Sequence, residues 1–161
     1  MKLLARPSFR RYITTEGFSF EAKTIDVAVS PLTPGLSSVA TLRGERERLL
    51  SDLCSLVDDR SNEDWDGYGA EPVSEDAFRQ AYFFIEDLDD DVEMPTLGAE
   101  PDGHITMEWY RAPDRLVSVS IGPGGELTFA ALDGGHPYSG STQFTGSVPQ
   151  TILALISKVT R

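Results

Sequence analysis

The chain has 161 residues, a length typical of one domain with short appendages. Its 26 acidic and 14 basic side chains give a net charge of −12, which opposes nonspecific attraction to nucleic-acid phosphates over most of the surface. Apolar residues make up 40% of the chain, enough to build a core, and no stretch reaches the roughly 20 apolar residues of a membrane span. These values argue against a nucleic-acid-coating protein and a membrane-spanning one, and they favour a cytoplasmic protein.

The first part of the chain contains extended pieces. Residues 1–35 are predicted to form an N-terminal extended segment or hairpin, because β-branched residues alternate in part over residues 24–29 before prolines and a glycine break the pattern. Residues 36–161 are predicted to form a single α+β domain. That domain starts with an amphipathic helix capped by Ser37 or Ser38, with apolar residues at three- and four-residue intervals.

The single cysteine, Cys54, lies close to the apolar stripe of this first helix. A lone cysteine cannot form an internal disulfide or a cysteine-rich zinc site. It is therefore predicted to be a small buried thiol rather than a nucleophile.

A polar connection follows, and it contains the run Asp64-Trp65-Asp66-Gly67-Tyr68-Gly69-Ala70. Its start matches the opening of a calcium loop, but the twelfth position is Val73, where a bidentate Glu is required. A structural turn in which the aspartates cap backbone amides is therefore preferred. Trp65 and Tyr68 are expected to anchor this loop on the core, and an exposed pair would serve as an interface anchor.

A second helix is predicted to begin at Glu75, with Ser74 as its cap. Its apolar face is expected to comprise Phe78, Ala81, Tyr82, Ile85 and Leu88. The acidic run that ends it contains Asp87, Asp89, Asp90, Asp91 and Glu93. Residues 51–100 as a whole hold 16 acidic and 2 basic side chains, whereas residues 1–50 carry a net charge of +3. Such a block is either a solvated face or a surface offered to a basic partner.

From Thr96 onward the apolar period changes to two, which predicts a three-stranded antiparallel meander covered by the amphipathic helices. Ile105, Met107 and Trp109 are expected to face the core, and the opposite face to be partly open. Residues 133–146 are predicted to be a loop, and Ser147 to cap the closing helix.

The W-D-G-Y-G-A segment at residues 65–70, the helix with an acidic end, Glu108-Trp109 and the strand at residues 118–121 resemble a recurrent family of small bacterial proteins of unassigned activity. The resemblance covers residues 64–160. It implies one compact unit there and a bacterial or phage origin.

Catalytic and metal-binding signals are weak. His104 and His136 lie far apart in the sequence, and a zinc site would require a carboxylate such as Asp133 or Glu108 to converge with both. No nucleophile elbow or phosphate loop is present. Neither a cofactor nor a metal is predicted.

The leading hypothesis is a non-enzymatic acidic module that neutralises a basic protein, such as a nucleic-acid-binding toxin or defence effector, in the manner of an antitoxin, immunity protein or phage inhibitor. Asp87, Asp89, Asp90, Asp91 and Glu93 would then bind the partner, in a special case by mimicking DNA phosphates, together with Trp65 and Tyr68. One alternative is a metal-assisted hydrolase that uses His104, His136 and nearby carboxylates. Another is an assembly subunit that forms homo-oligomers through a sheet edge.

Overall fold

The computed structural model describes the backbone of residues 34–161 and the side chains of residues 44–161. The segment or hairpin expected over residues 1–35 therefore lies, except for its last two residues, outside the described residues. Those two residues belong to the first helix, which begins at Pro34, so neither Ser37 nor Ser38 caps it. Proline is well tolerated in a first helical turn because its missing N–H would have no helical partner there.

Over the described residues the chain forms three helices and five strands. The helices are α1 (Pro34–Asp59), α2 (Glu75–Asp87) and α3 (Gln150–Thr160). The strands are β1 (Thr96–Ala99), β2 (Ile105–Ala112), β3 (Arg115–Ile121), β4 (Glu126–Asp133) and β5 (His136–Gln143). All strands belong to one antiparallel sheet in the order β1-β2-β3-β4-β5, which confirms the predicted α+β fold with a meander. None of the helices in this part of the chain is long and apolar enough to cross a membrane.

The sheet has two strands more than predicted, and the prediction of a loop over residues 133–146 was wrong. Gly134 and Gly135 both have positive φ, 58° and 83°, and join Asp133 to its register partner His136. This is a two-residue turn that directs the chain back along β4. β5 shows no apolar alternation because nearly all of it is exposed, as is common in an edge strand.

The core lies on one face of the sheet. Ile105, Met107 and Trp109 are buried as predicted, while Glu108 and Tyr110, between and beyond them, are exposed on the other face. The helices cover the buried face, and the opposite face is open where polar residues align across the strands. That open row includes Thr106, Ser120, Thr128 and Ser141.

α2 and α3 present the faces that their apolar spacing dictates, with one difference in the buried face of α2 and one in the cap of α3. In α2 the buried residues include Phe84, which the predicted face omits, whereas Phe78 and Tyr82 are only partly buried. α3 has no side-chain cap, because Pro149 rather than Ser147 occupies the N-cap position. Its predicted apolar side is buried throughout: Val148, Ile152, Leu155, Ile156 and Val159.

Trp109→Ala is expected to lower the free energy of unfolding by about 3–5 kcal/mol, because it leaves a cavity in the buried face of the sheet. The neighbouring change Tyr110→Ala is the matched control, since Tyr110 is 60% exposed and its loss should cost about 0.5 kcal/mol or less. Urea unfolding of both variants measures the difference. Equal stabilities would show that the burial assigned to β2 is inverted.

Candidate partner-binding surface

The most acidic surface element is the acidic turn, residues 86–93, where α2 ends and the chain bends toward β1. All six of its carboxylates are exposed: Glu86, Asp87, Asp89, Asp90, Asp91 and Glu93. They lie around the carboxyl end of a helix, where the partial negative charge of the backbone already disfavours anions. The negative charge of this element is therefore crowded and would be stabilised by an external cation.

The backbone of the acidic turn is held firmly against the core. Leu88 is 2% exposed, and its N–H donates to the Ile85 carbonyl at 3.3 Å. The N–H of Val92 donates to the Asp89 carbonyl at 3.0 Å, which closes the turn. The buried Trp109 indole donates to the Glu93 carbonyl at 2.6 Å. The carboxylates are thus displayed from an ordered backbone.

Two of the predicted partner-binding carboxylates have partners within the protein. Arg46 of α1 donates to the Leu88 carbonyl and lies 3.1 Å from Asp90 Oδ1, with only 18% of its side chain exposed. Asp87 Oδ2 accepts the Val148 N–H at 2.7 Å, which joins the end of α2 to the approach to α3. Asp87 and Asp90 therefore help to hold the fold together.

Asp89, Asp91 and Glu93 differ from those two residues. Among the described residues their carboxylates form no ion pair and accept no hydrogen bond. The sequence presents the five residues as one uniform run, because a carboxylate with a distant partner looks the same in sequence as one without. The structure divides them into two carboxylates with internal partners, Asp87 and Asp90, and three without one among the described residues.

A groove of about 570 Å³ opens beside the acidic turn, between α2 and the segment that follows β5. It is lined by Gln80, Phe83, Glu86, Asp87 and residues 144–146. Phe83 is 52% exposed, whereas Phe144 is buried and packs against Phe84 with ring centroids 5.7 Å apart. Sequence reasoning missed this groove, although one signal was present: Phe83 is a large apolar residue outside the apolar stripe of α2.

The loop that holds Trp65 and Tyr68 is a structural turn, as predicted. Asp66 Oδ1 accepts the N–H groups of Tyr68 and Ala70 at 2.8 and 3.1 Å. Asp64, which has a φ of 58°, accepts the Gly69 N–H at 2.7 Å. Val73, at the position where a calcium loop needs its last carboxylate, is buried in the core.

The two aromatic residues of this loop have different roles. The Trp65 indole donates to the Glu71 carbonyl at 2.9 Å, and the Arg60 guanidinium lies 4.8 Å from its ring centroid. Tyr68 is 94% exposed and does not anchor the loop on the core, contrary to that expectation. This loop precedes α2 and the acidic turn follows α2, so the 13-residue helix separates the loop from the acidic turn by about 20 Å. The structure therefore does not combine the aromatic pair and the acidic turn into one small site.

The two histidines do not converge. His104 lies next to Ile105, which pairs with Ile121 at the end of β3. His136 pairs with Asp133, and Asp133 pairs with Arg115 at the start of β3. At about 3.3 Å per residue these positions are about 20 Å apart along the strands. A site that uses both histidines, as the hydrolase hypothesis assumed, is therefore not formed.

His104 lies instead beside two carboxylates. Within the described part of the chain, Glu100, Asp102 and His104 form a group whose potential metal-ligating atoms all lie within 4.8 Å of one another. Hydrogen bonds already account for this arrangement: Thr106 donates to Glu100, the His104 backbone N–H donates to Asp102 Oδ1 at 3.2 Å, and His104 Nδ1 lies 3.3 Å from Ser120 Oγ. Gly122 leaves room for the ring, since a Cβ there would lie 3.1 Å from it. The cluster closes the β1–β2 turn against the sheet.

Cys54 has the properties of an unreactive thiol. It is half-buried on α1, and burial, followed by the negative charge of Asp58, raises the pKa of its thiol above the ordinary 9.0. The Cys54 thiolate, which is the nucleophilic form, is therefore scarce at neutral pH. Burial and the nearby Glu86 likewise raise the pKa of the Tyr82 hydroxyl.

A scan of protein-family models, a search of curated proteins and a search of solved structures each found no match to this chain. The functional conclusion therefore depends on the geometry and charge of the chain itself.

Asp66→Ala is expected to lower the free energy of unfolding by about 2–3 kcal/mol, because two backbone N–H groups lose a charged acceptor. Glu63→Ala is the control, since Glu63 is an exposed carboxylate of the same loop that forms no hydrogen bond or ion pair with the described residues. Chemical denaturation of both variants provides the measurement. If the two changes cost the same, the turn does not depend on Asp66.

Cys54 of the native chain is expected to react with iodoacetamide more slowly than the same cysteine in urea at pH 7.5, because the fold disfavours its thiolate. A native alkylation rate above that in urea would contradict the assignment.

The raised pKa of Cys54 in the folded state also means that this thiol stabilises the fold below pH 9.0 and that its contribution is lost as the pH rises further. The free energy of unfolding should therefore fall less steeply above pH 9 in Cys54→Ser than in the parent.

Proposed function

We propose that this protein is a non-enzymatic acidic binding module that neutralises a basic protein, in the manner of an antitoxin, immunity or inhibitor protein. The observation that supports this most directly is the acidic turn. Asp89, Asp91 and Glu93 are exposed on a backbone held by the core and form no ion pair within the described residues. Binding therefore does not require existing ion pairs of these three residues to be broken.

An ordered acidic surface favours the binding of a basic partner in two ways. Its field accelerates encounter with a positively charged cleft, and the acceleration weakens as salt rises. Because the backbone is already fixed, little conformational entropy is lost when the carboxylates engage. The basic surface in question would be a nucleic-acid cleft, with the carboxylates in the places of phosphates. The mechanism would then be occlusion of that cleft.

The experiment compares association rates at several salt concentrations. The partner is captured from the source cell by cross-linking, purified and mixed with the parent or with the triple variant Asp89→Asn, Asp91→Asn, Glu93→Gln. We expect the variant to associate about tenfold more slowly at low salt. The difference should shrink toward physiological ionic strength, where the Debye length is about 8 Å.

A matched control separates a local effect from the change in net charge. Glu63→Gln, Glu71→Gln and Glu75→Gln together remove the same number of exposed carboxylates near the opposite end of α2. This control should associate nearly as fast as the parent. If both triple variants slow equally, net charge rather than the acidic turn drives encounter, and if neither slows, the acidic surface is only a solvated face.

A further inference from the structure

The groove beside the acidic turn has a composition that selects for one kind of side chain. One wall is Phe83, a half-exposed ring, and the rim carries Glu86 and Asp87. None of the described residues that line the groove is basic. An aromatic face next to carboxylates is the arrangement that stabilises a planar cation, because the ring attracts the positive charge and the carboxylates accept its N–H groups.

We propose that this groove binds an arginine side chain of the basic partner. The inference rests on the proposed function and adds the position and the residue type that the partner supplies. The guanidinium group would stack on Phe83 and donate to Glu86. Arginine is favoured over lysine because its flat, weakly hydrated head both stacks and forms paired hydrogen bonds, whereas an ammonium is a compact and strongly hydrated charge.

The free atoms around the groove support this assignment. Asp87 Oδ2 is occupied by the Val148 N–H, but its other oxygen accepts no hydrogen bond from the described residues. Glu86 is exposed and forms no ion pair within them. The floor is closed by Phe144, which is 6% exposed, and a volume of about 570 Å³ can receive a long side chain without displacing the core.

The groove is also continuous with the acidic turn, since Glu86 and Asp87 belong to both. A partner steered toward the acidic turn would therefore meet Glu86 and Asp87, which are also at the rim of the groove. In this scheme the acidic turn governs how fast the partner arrives, and the groove governs how slowly it leaves.

The test uses short capped peptides of alternating glycine and arginine, glycine and lysine, or glycine and citrulline, added to the ¹⁵N-labelled full chain at low salt. Citrulline has nearly the shape of arginine without its charge. With the arginine peptide we expect amide shifts concentrated at Phe83, Glu86 and residues 144–146. The lysine peptide should bind about two- to fivefold more weakly, and the citrulline peptide should give no saturable shifts.

Two variants locate the binding. Phe83→Ala and Glu86→Gln should each weaken the arginine peptide about two- to fivefold. Their controls, Tyr110→Ala and Glu75→Gln, change an exposed ring and an exposed carboxylate elsewhere and should leave the affinity unchanged. Melting temperatures close to that of the parent would show that the fold is retained.

The outcomes distinguish this proposal from the proposed function. Shifts confined to residues 89–93, with Phe83→Ala unchanged, would overturn the groove and leave the acidic module standing. Equal affinity for the lysine peptide would overturn the assignment to arginine. The chain's own residues 1–12, which carry Lys2, Arg6, Arg10 and Arg11 and no acid, are the remaining occupant to test. If replacing these four by Gln shifts the groove amides without any peptide, the groove is filled by its own chain and the proposal fails.

Discussion

The burial of Trp109 links the core of this protein to its acidic surface. The ring lies on the covered face of β2 with 2% of its surface exposed, so its indole N–H needs a partner inside the fold. That partner is the Glu93 carbonyl at 2.6 Å. The hydrogen bond fixes the far end of the acidic turn, while Leu88 fixes its near end in the same core. The conformation of the charged surface thus depends on apolar packing beneath it.

The same turn must also tolerate its own charge. Exposed carboxylates around the carboxyl end of α2 repel one another and the backbone dipole, each at a cost of about 0.3–1 kcal/mol. Arg46, reaching across from α1, lies within 4 Å of Asp90, and the Val148 N–H satisfies Asp87. The chain therefore compensates two of these carboxylates internally. Those left over are the ones that an external cation would stabilise, and this division is the physical basis for the proposal that the surface binds a basic partner.

Local patterns predicted the elements whose causes are local. The start of α2 follows from the Ser74 hydroxyl, which accepts the Ala77 N–H at 3.1 Å. The turn at residues 64–70 follows from aspartates that can accept nearby N–H groups. β5 was missed because an exposed edge strand leaves no apolar alternation, and its pairing is supplied by β4. Glu100, Asp102 and His104 meet because the β1–β2 turn brings these near neighbours together. The separation of His104 from His136 follows from strand register, which the sequence does not display.

By itself the sequence determined the α+β class, the covered face of β2–β4, the apolar face of α3 and the concentration of charge in the middle of the chain, because each is a property of neighbouring residues and their periodicity. Only the tertiary structure decided which carboxylates are paired, where Phe83 opens a groove and which titratable groups meet. Those properties depend on contacts such as Arg46 with Asp90 and Asp87 with Val148, which are separated by 44 and 61 positions. Contacts over such separations are set by how helices and strands pack together, and local periodicity carries no information about them.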